Sequence, residues 1–280
     1  MPRTSIADKR KTFRALHQSG CFVIPNPWSV GTARYLQGLG FKALASTSSG
    51  YAHAQGLADG AVIRDQVLAH YREIAEAVDI PLNGDFEGGF AHEPSGVADN
   101  VRLCAETGVA GLSIEDFTGD EANPLYDFDL AVARVRAARA AIDKAGGDVV
   151  FTARTEGFIH GRPDLDETIR RLKAFADAGA DCLYSPGIKT REQIAATVKA
   201  VAPKPINFLN SGAFGLTVKD LAELGVRRIS VGGTLARVAM HAFIKSATEI
   251  ARDGGFDSFG GVVPNAELNT FFSTGGKKQS

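Results

Sequence analysis

The chain is poor in the residues that build covalent or thiolate scaffolds. It has three cysteines in 280 residues, Cys21, Cys104 and Cys182, far apart and without a CxxC pair. That excludes a disulfide framework or a structural zinc site and fits buried thiols in a reduced compartment. No run approaches the ~20 apolar residues of a membrane span. The opening segment "MPRTSIADKRKTFRALHQSG" has no apolar centre of the kind a secretory signal needs, so the cytoplasm is the expected location. Charge of one sign is also missing: 31 basic residues stand against 32 acidic ones, a net charge of −1. Such a balance leaves no electrostatic footprint for nucleic acid or an anionic membrane, and a small molecule is the expected partner.

What is present is core-forming material in a regular order. Hydrophobic residues make up 44% and charged residues 22%, the balance of a globular protein with a sizeable core. Short apolar runs rich in Val, Ile and Phe occur at 21–26, 43–47, 81–85, 110–116, 149–155, 181–186, 205–210 and 227–233. Their composition predicts strands covered on both faces. Between them lie stretches with helical periodicity, such as 95–108 and 164–180, opened by a Ser or Asp suited to the N-cap. Gly40, Gly108, Gly146, Gly147, Gly179 and Gly225 stand where helices should close. Eight βα units without a linker predict one domain over 1–280, a single (β/α)8 TIM barrel over about 20–250 with a C-terminal extension over about 251–280. An open doubly wound sheet is the alternative, but "NPWSVGTAR" after the first run offers no GxGxxG. The aromatics of the extension suggest docking on the barrel or a neighbouring subunit, and "GGKKQS" a frayed tail.

A barrel keeps its active site at the C-terminal ends of its strands. There the chain places "STSSG" (46–50), Asp85 and Glu87, Glu115 and Asp116, then Arg154 and Glu156, with Asp59 in the loop after the second run. In "PLNGDFEGGFA" (81–91), strand periodicity would aim Asp85 and Glu87 the same way. Carboxylates aimed at one spot repel unless something positive lies between them, so a hard divalent cation is the first expectation. Successive amides at Ser46, Thr47 and Ser48 suit a substrate carboxylate, and Arg154 suits charge developing on an enolate oxygen. The plainer reading makes Glu115 and Arg154 a structural ion pair and Asp85 a loop cap. His53 and His92 fall in loops at the same mouth, where solvated loop histidines are the ordinary reading.

At these residues, from about 20 to 240, the chain resembles the isocitrate lyase and phosphoenolpyruvate mutase superfamily of Mg²⁺-dependent barrels. Ser46 with Thr47 resembles its carboxylate-binding turn, and Asp59 its acid in the loop after strand two. "DFEGGF" resembles the D-x-D-x-G-[FY] metal motif, "SIED" the strand-four glutamate, and "TART" the arginine. The resemblance implies Mg²⁺, with Mn²⁺ as a substitute, held by Asp85, Glu87, Asp59 and Glu115, with Arg154, Glu115 and Asp59 acting in catalysis. It implies substrate binding by Leu44, Ser46, Thr47, Ser48, Asn123, Arg154, Asn210 and Arg237, and a homo-oligomer, dimer or tetramer, that exchanges its last helix.

Three departures shape the expected activity. Glu87 stands where the metal motif has its second aspartate. The loop "DFTGDEANPLYDFD" lacks the K-[KR]-C-G-H motif of the lyases that cleave isocitrate or methylisocitrate, and with it their cysteine proton donor. Strand six ends in "YSPG", where relatives show a glutamate or histidine. The expected function is a Mg²⁺-dependent lyase of a small 2-oxo or 2-hydroxy acid, decarboxylating oxaloacetate or cleaving a substituted malate through a pyruvate-type enolate between Mg²⁺ and Arg154. One alternative is P–C bond hydrolysis or mutation of phosphonopyruvate, with Thr118 as the placed hydroxyl; another is a non-catalytic 2-oxo-acid binder. A phosphate-binding aldolase, suggested by "SGAFG" and Gly232-Gly233, lacks the Schiff-base lysine it would need at a strand end.

Overall fold

Parallel strands can be joined only by crossovers, and the alternation in the sequence supplies them. In the computed structural model, which describes residues 3–275, β1 (Phe22–Ile24), β2 (Leu44–Ala45), β3 (Leu82–Asp85), β4 (Gly111–Glu115), β5 (Val150–Arg154), β6 (Cys182–Tyr184), β7 (Ile206–Leu209) and β8 (Arg228–Ser230) form one parallel sheet. Its order, β1-β8-β7-β6-β5-β4-β3-β2, places the first two strands at the seam. There Ala45 donates its N–H to the Pro25 carbonyl at 3.1 Å, so the cylinder is nearly closed. This is a (β/α)8 TIM barrel. The helices are α1 (Ile6–Leu16), α2 (Val30–Gly38), α3 (Ser48–Ala54), α4 (Arg64–Ala77), α5 (Pro94–Ala105), α6 (Phe128–Lys144), α7 (Leu165–Asp177), α8 (Arg191–Val201), α9 (Val218–Glu223), α10 (Thr234–Asp253) and α11 (Asn265–Ser273). Asp164 caps α7 by accepting from the Glu167 N–H, as its position before the helical pattern implied. Gly179, just past that helix, adopts φ +105°, which only glycine takes without strain.

The two faces of the sheet differ in a way the composition of the strands did not show. Outward residues such as Leu82, Leu112, Ile114, Phe151 and Leu183 pack beneath the helices in the main core. Inward, Phe22, Ile24, Ala43, Ala45, Ala110 and Val150 fill the lower barrel. Above them the interior turns polar: Asn83, Ser113, Asn207, Arg228 and Ser230 line a cavity of about 160 Å³ that reaches the strand ends. The expectation of strands apolar on both faces therefore fails for the upper interior, where the barrel opens into its site.

The bottom of the barrel is sealed by α1, a segment the sequence pattern placed outside it. Phe13 is fully buried and packs edge-on against Phe22, and a Cβ on Gly111 would come within 2.4 Å of its ring. Lys9 donates to the carbonyls of Ala75 and Val78, and Arg10 to those of Ala105 and Val109, so α1 also caps the C-terminal ends of α4 and α5. At the other end of the chain, α10 buries none of its residues, and the rings of Phe271 and Tyr35 meet at 4.6 Å where α11 returns to α2. Of the tail "GGKKQS", residues 276–280 lie outside the described residues. Among the described residues no helix is long and apolar enough to cross a membrane.

Candidate active site

Inward-facing residues at the ends of β3, β4 and β5 are adjacent by register: Asp85 pairs with Ser113, and Glu115 with Arg154. One guanidinium serves three acids. Arg154 Nη1 lies 2.6 Å from Asp85 Oδ1 and 3.0 Å from Glu115 Oε2, and its Nε donates to Glu156 Oε1 at 3.0 Å. The positive group between the two strand-end carboxylates is thus Arg154 itself. Burial works against its charge, but Glu115, Glu156 and Asp85 outweigh burial and hold it more firmly protonated than usual. Burial pushes the carboxyls of Glu115 and Glu156 upward, with Arg154 opposing.

Asp85 is oriented from three sides. Its N–H donates to Ser46 Oγ at 2.8 Å, its Oδ2 accepts from the Ser48 N–H at 3.1 Å, and its carbonyl accepts from the Tyr71 hydroxyl. The Ser46 N–H is bonded to the Asn83 carbonyl, so two of the three amides assigned to a substrate carboxylate are already engaged. Asp116 faces away from this cluster. It accepts from the Glu156 N–H, Thr155 Oγ1 and Arg171, and so fixes the chain leaving β5.

Glu87 reaches the site by another route than the strand alternation expected of it. β3 stops at Asp85, and Glu87 sits in a turn at φ +45°, its carbonyl accepting from the Glu115 N–H. Arg134 of α6, buried beneath the turn, donates to the carbonyls of Gly88, Ala91 and His92 and so holds it in place. Burial, then Asp85, Glu115 and Asp59, push the Glu87 carboxyl up to about 8.

Asp59, Glu87, Glu115, Arg154 and Glu156 line one cavity of about 530 Å³. Among the described residues no three acidic, histidine or cysteine side chains are drawn together as a closed metal cage. The donor set still suits Mg²⁺: it is all oxygen, it carries more acid than Arg154 can balance, and Mg²⁺ retains waters through which carboxylates bind. Asp85, Glu87, Glu115 and Asp59 are the groups that would hold it.

The whole barrel, not only its mouth, matches a known family. The family model described as phosphoenolpyruvate phosphomutase matches residues 13–251. The chain belongs to that family. It is 32% identical over 92% of its length to an uncharacterized protein of Mycobacterium tuberculosis, 94% of which is covered. It is 30% identical over 88% of its length to an oxaloacetate decarboxylase of Paraburkholderia xenovorans, 83% of which is covered. Among solved structures, a Burkholderia cenocepacia protein provisionally named a lyase/mutase superposes with a TM-score of 0.92 at 46% identity, covering 96% of each chain. A phosphonopyruvate hydrolase in complex with oxalate and Mg²⁺ superposes at 0.83 with 27% identity, covering 95% of this chain and 96% of its own. The isocitrate lyase and phosphoenolpyruvate mutase superfamily is therefore the one to which this chain belongs, and its named members are lyases, mutases and hydrolases.

Within this family member, the structure gathers some of the expected residues and disperses others. Ser48, Asp59, Glu87, Glu115 and Arg154 share the acidic cavity, and Ser46, Thr47 and Asp85 line the interior cavity below it. Leu44 does not join them: it is fully buried on the outer face of β2, in the core with Ala33 and Leu36, because inward-facing positions there are Ala43 and Ala45. Asn123 lines a separate cavity beside Arg162 and Arg171, its amide donating to Asp120. Arg237, on α10, faces a cavity with Trp28 and His53, and the Asn210 Oδ1 is buried without a partner among the described residues. Phe90, the last residue of "DFEGGF", also lines the acidic cavity, and Phe117, Tyr126, Ile159 and His160, which the sequence reading did not single out, complete it. Their loops carry no motif or periodicity to mark them.

Proposed function

We propose that the protein is a Mg²⁺-dependent lyase of a small 2-oxo or 2-hydroxy carboxylic acid, forming a pyruvate-type enolate by C–C cleavage or decarboxylation. The observation that supports this is Arg154 Nη1 between Asp85 and Glu115 at the floor of an otherwise acidic cavity. A fixed guanidinium there faces the oxygen on which negative charge develops, and a preorganised donor in a partly dehydrated site is worth more than in water. Glu156 orients the guanidinium through Nε, while Asp116 holds Glu156 by its backbone. When bound, Mg²⁺ supplies Lewis-acid charge at the same oxygen. Glu115 and Asp59 face the cavity as the groups able to hold or move a proton near the reacting carbon.

A P–C hydrolase would need an activated nucleophile, and the expected hydroxyl is committed elsewhere: Thr118 Oγ1 donates to the Asn123 carbonyl at 2.6 Å and shapes its own turn. The test is turnover. Purified protein with Mg²⁺ should release pyruvate from oxaloacetate or a substituted malate, and chelation should abolish the release. Phosphate in place of carbon-bond products, from phosphonopyruvate alone, would move the assignment to P–C chemistry. If nothing is released from any of the three while 2-oxo acids still raise Tm, the protein is a binder and not an enzyme.

A further inference from the structure

Resting on the lyase reading, we propose that Tyr126 is a further catalytic residue, the acid that returns a proton to the enolate carbon, with His92 passing it a replacement from solvent. C–C cleavage or decarboxylation leaves an electron pair on the enolate, and pyruvate is complete only when a proton reaches its carbon. Asp85, Glu87, Glu115 and Asp59 are the groups that would hold Mg²⁺. A carboxylate beside a bound dication is kept ionised, suited to accept a proton and not to give one. The Thr118 hydroxyl is committed to the Asn123 carbonyl. Tyr126 and His92 line the same cavity as Glu115 and Arg154 and stand outside the set that would hold the metal.

The arrangement of the pair suits a proton relay. The Tyr126 hydroxyl lies 2.6 Å from His92 Nδ1. Tyr126 is buried while His92 is exposed, so the imidazole joins a hidden hydroxyl to bulk water. Arg134 is fully buried beneath them, its guanidinium carbon 4.0 Å from the centre of the Tyr126 ring. It donates to the carbonyls of Gly88, Ala91 and His92. One cation therefore fixes the loop that carries His92 and faces the ring on which negative charge appears when the hydroxyl gives up its proton. Burial pushes the Tyr126 phenol up and Arg134 opposes it, and an enolate carbon is a stronger base than a phenolate, so the transfer runs toward pyruvate. In the step, the Tyr126 O–H bond breaks as the C–H bond of pyruvate forms. The phenolate takes the His92 Nδ1 proton, and His92 takes one up at Nε2 from water, so no other co-reactant is needed.

The test is exchange of the pyruvate methyl protons in D2O, followed by proton NMR with the full chain and Mg²⁺. By reversibility, the group that delivers the last proton also removes one from bound pyruvate. The unsubstituted protein should exchange them, and Tyr126→Phe should do so about 10²-fold or more slowly while oxalate binding by titration is unchanged. His92→Ala, at an exposed side chain, should slow exchange by about tenfold and recover when free imidazole is added, which a packing role would not allow. Exchange by Tyr126→Phe at the unsubstituted rate, loss of its oxalate binding, or a His92→Ala rate that imidazole leaves unchanged overturns the relay and leaves the lyase reading in place. So does an unsubstituted protein that forms pyruvate from oxaloacetate without exchanging its methyl protons. Failure of the unsubstituted protein both to exchange pyruvate and to release it from any substrate takes down the lyase reading and the inference with it.

Discussion

At the scale of single residues, the site depends on how one arginine is shared. Arg154→Met removes the donor aimed at the developing oxyanion and leaves Asp85, Glu115 and Glu156 facing one another; pyruvate formation should fall by about 10²–10³-fold. Steady-state kinetics on a folded variant checks this. Glu87 carries a separate prediction. Glu87→Gln keeps the shape of the turn but takes away the carboxyl group that a bound metal would draw into its charged form, so Mg²⁺ affinity measured by titration should weaken by about tenfold or more; unchanged affinity would remove Glu87 from the metal's surroundings. His70 sets part of the acid limit of stability. It is buried, stacked on Tyr51 at 3.8 Å, with Nε2 unpartnered among the described residues, and burial lowers its pKa from 6.5 to about 4. Because the folded-state value is the lower one, the neutral ring's contribution is fully present above pH 6.5 and is lost as pH falls from 6.5 towards about 4. His70→Phe should keep stability at pH 7 and flatten that loss, as read by denaturant unfolding at pH 7 and pH 4.5.

At the scale of elements, α1 shows how a segment that looks peripheral becomes structural. Phe13 fills the barrel floor left open by Gly111, and Lys9 and Arg10 reach the last carbonyls of two other helices. Phe13→Ala should cost about 3–5 kcal/mol, the range for emptying a phenylalanine site in a core that cannot collapse. An equilibrium denaturation midpoint well below that of the unsubstituted protein is the expected reading. The strands illustrate the complementary case. Their C-terminal residues were legible as a site because barrel geometry sends every strand end to one mouth, which is why Asp85, Glu115 and Arg154 are together. Leu44 lies on the outer face of β2, which the sequence could not foretell, because a strand's two faces alternate residue by residue and no pattern in a two-residue strand says which face is inward. Asn123 sits apart from the acidic cavity for a different reason: in an irregular loop the direction of a side chain is set by local hydrogen bonds, here to Asp120 and Thr118, and not by any period.

For the whole molecule, the open question is what covers α10. Val238, Phe243 and Ile244 are more than half exposed, as are Phe256, Val262 and Val263 beyond it, and large apolar side chains left this open mark a surface suited to a partner. We propose, from the superfamily resemblance, that a second copy covers it, with α10 exchanged between subunits. Phe243→Asp should then shift the protein to a smaller species in light scattering, and an unchanged mass would remove the helix from the interface. The sequence by itself determined the class of fold and the superfamily. Eight β-rich runs alternating with helical periodicity allow little besides a (β/α)8 barrel, and acids with one arginine at the strand ends mark the mouth. Only the tertiary structure decided that Arg154 bridges Asp85 and Glu115, that Glu87 arrives on a turn pinned by Arg134, and that Phe117, Tyr126 and Ile159 wall the cavity. Those relations join residues 30 to 70 positions apart through packing, and packing distance is not written in local periodicity.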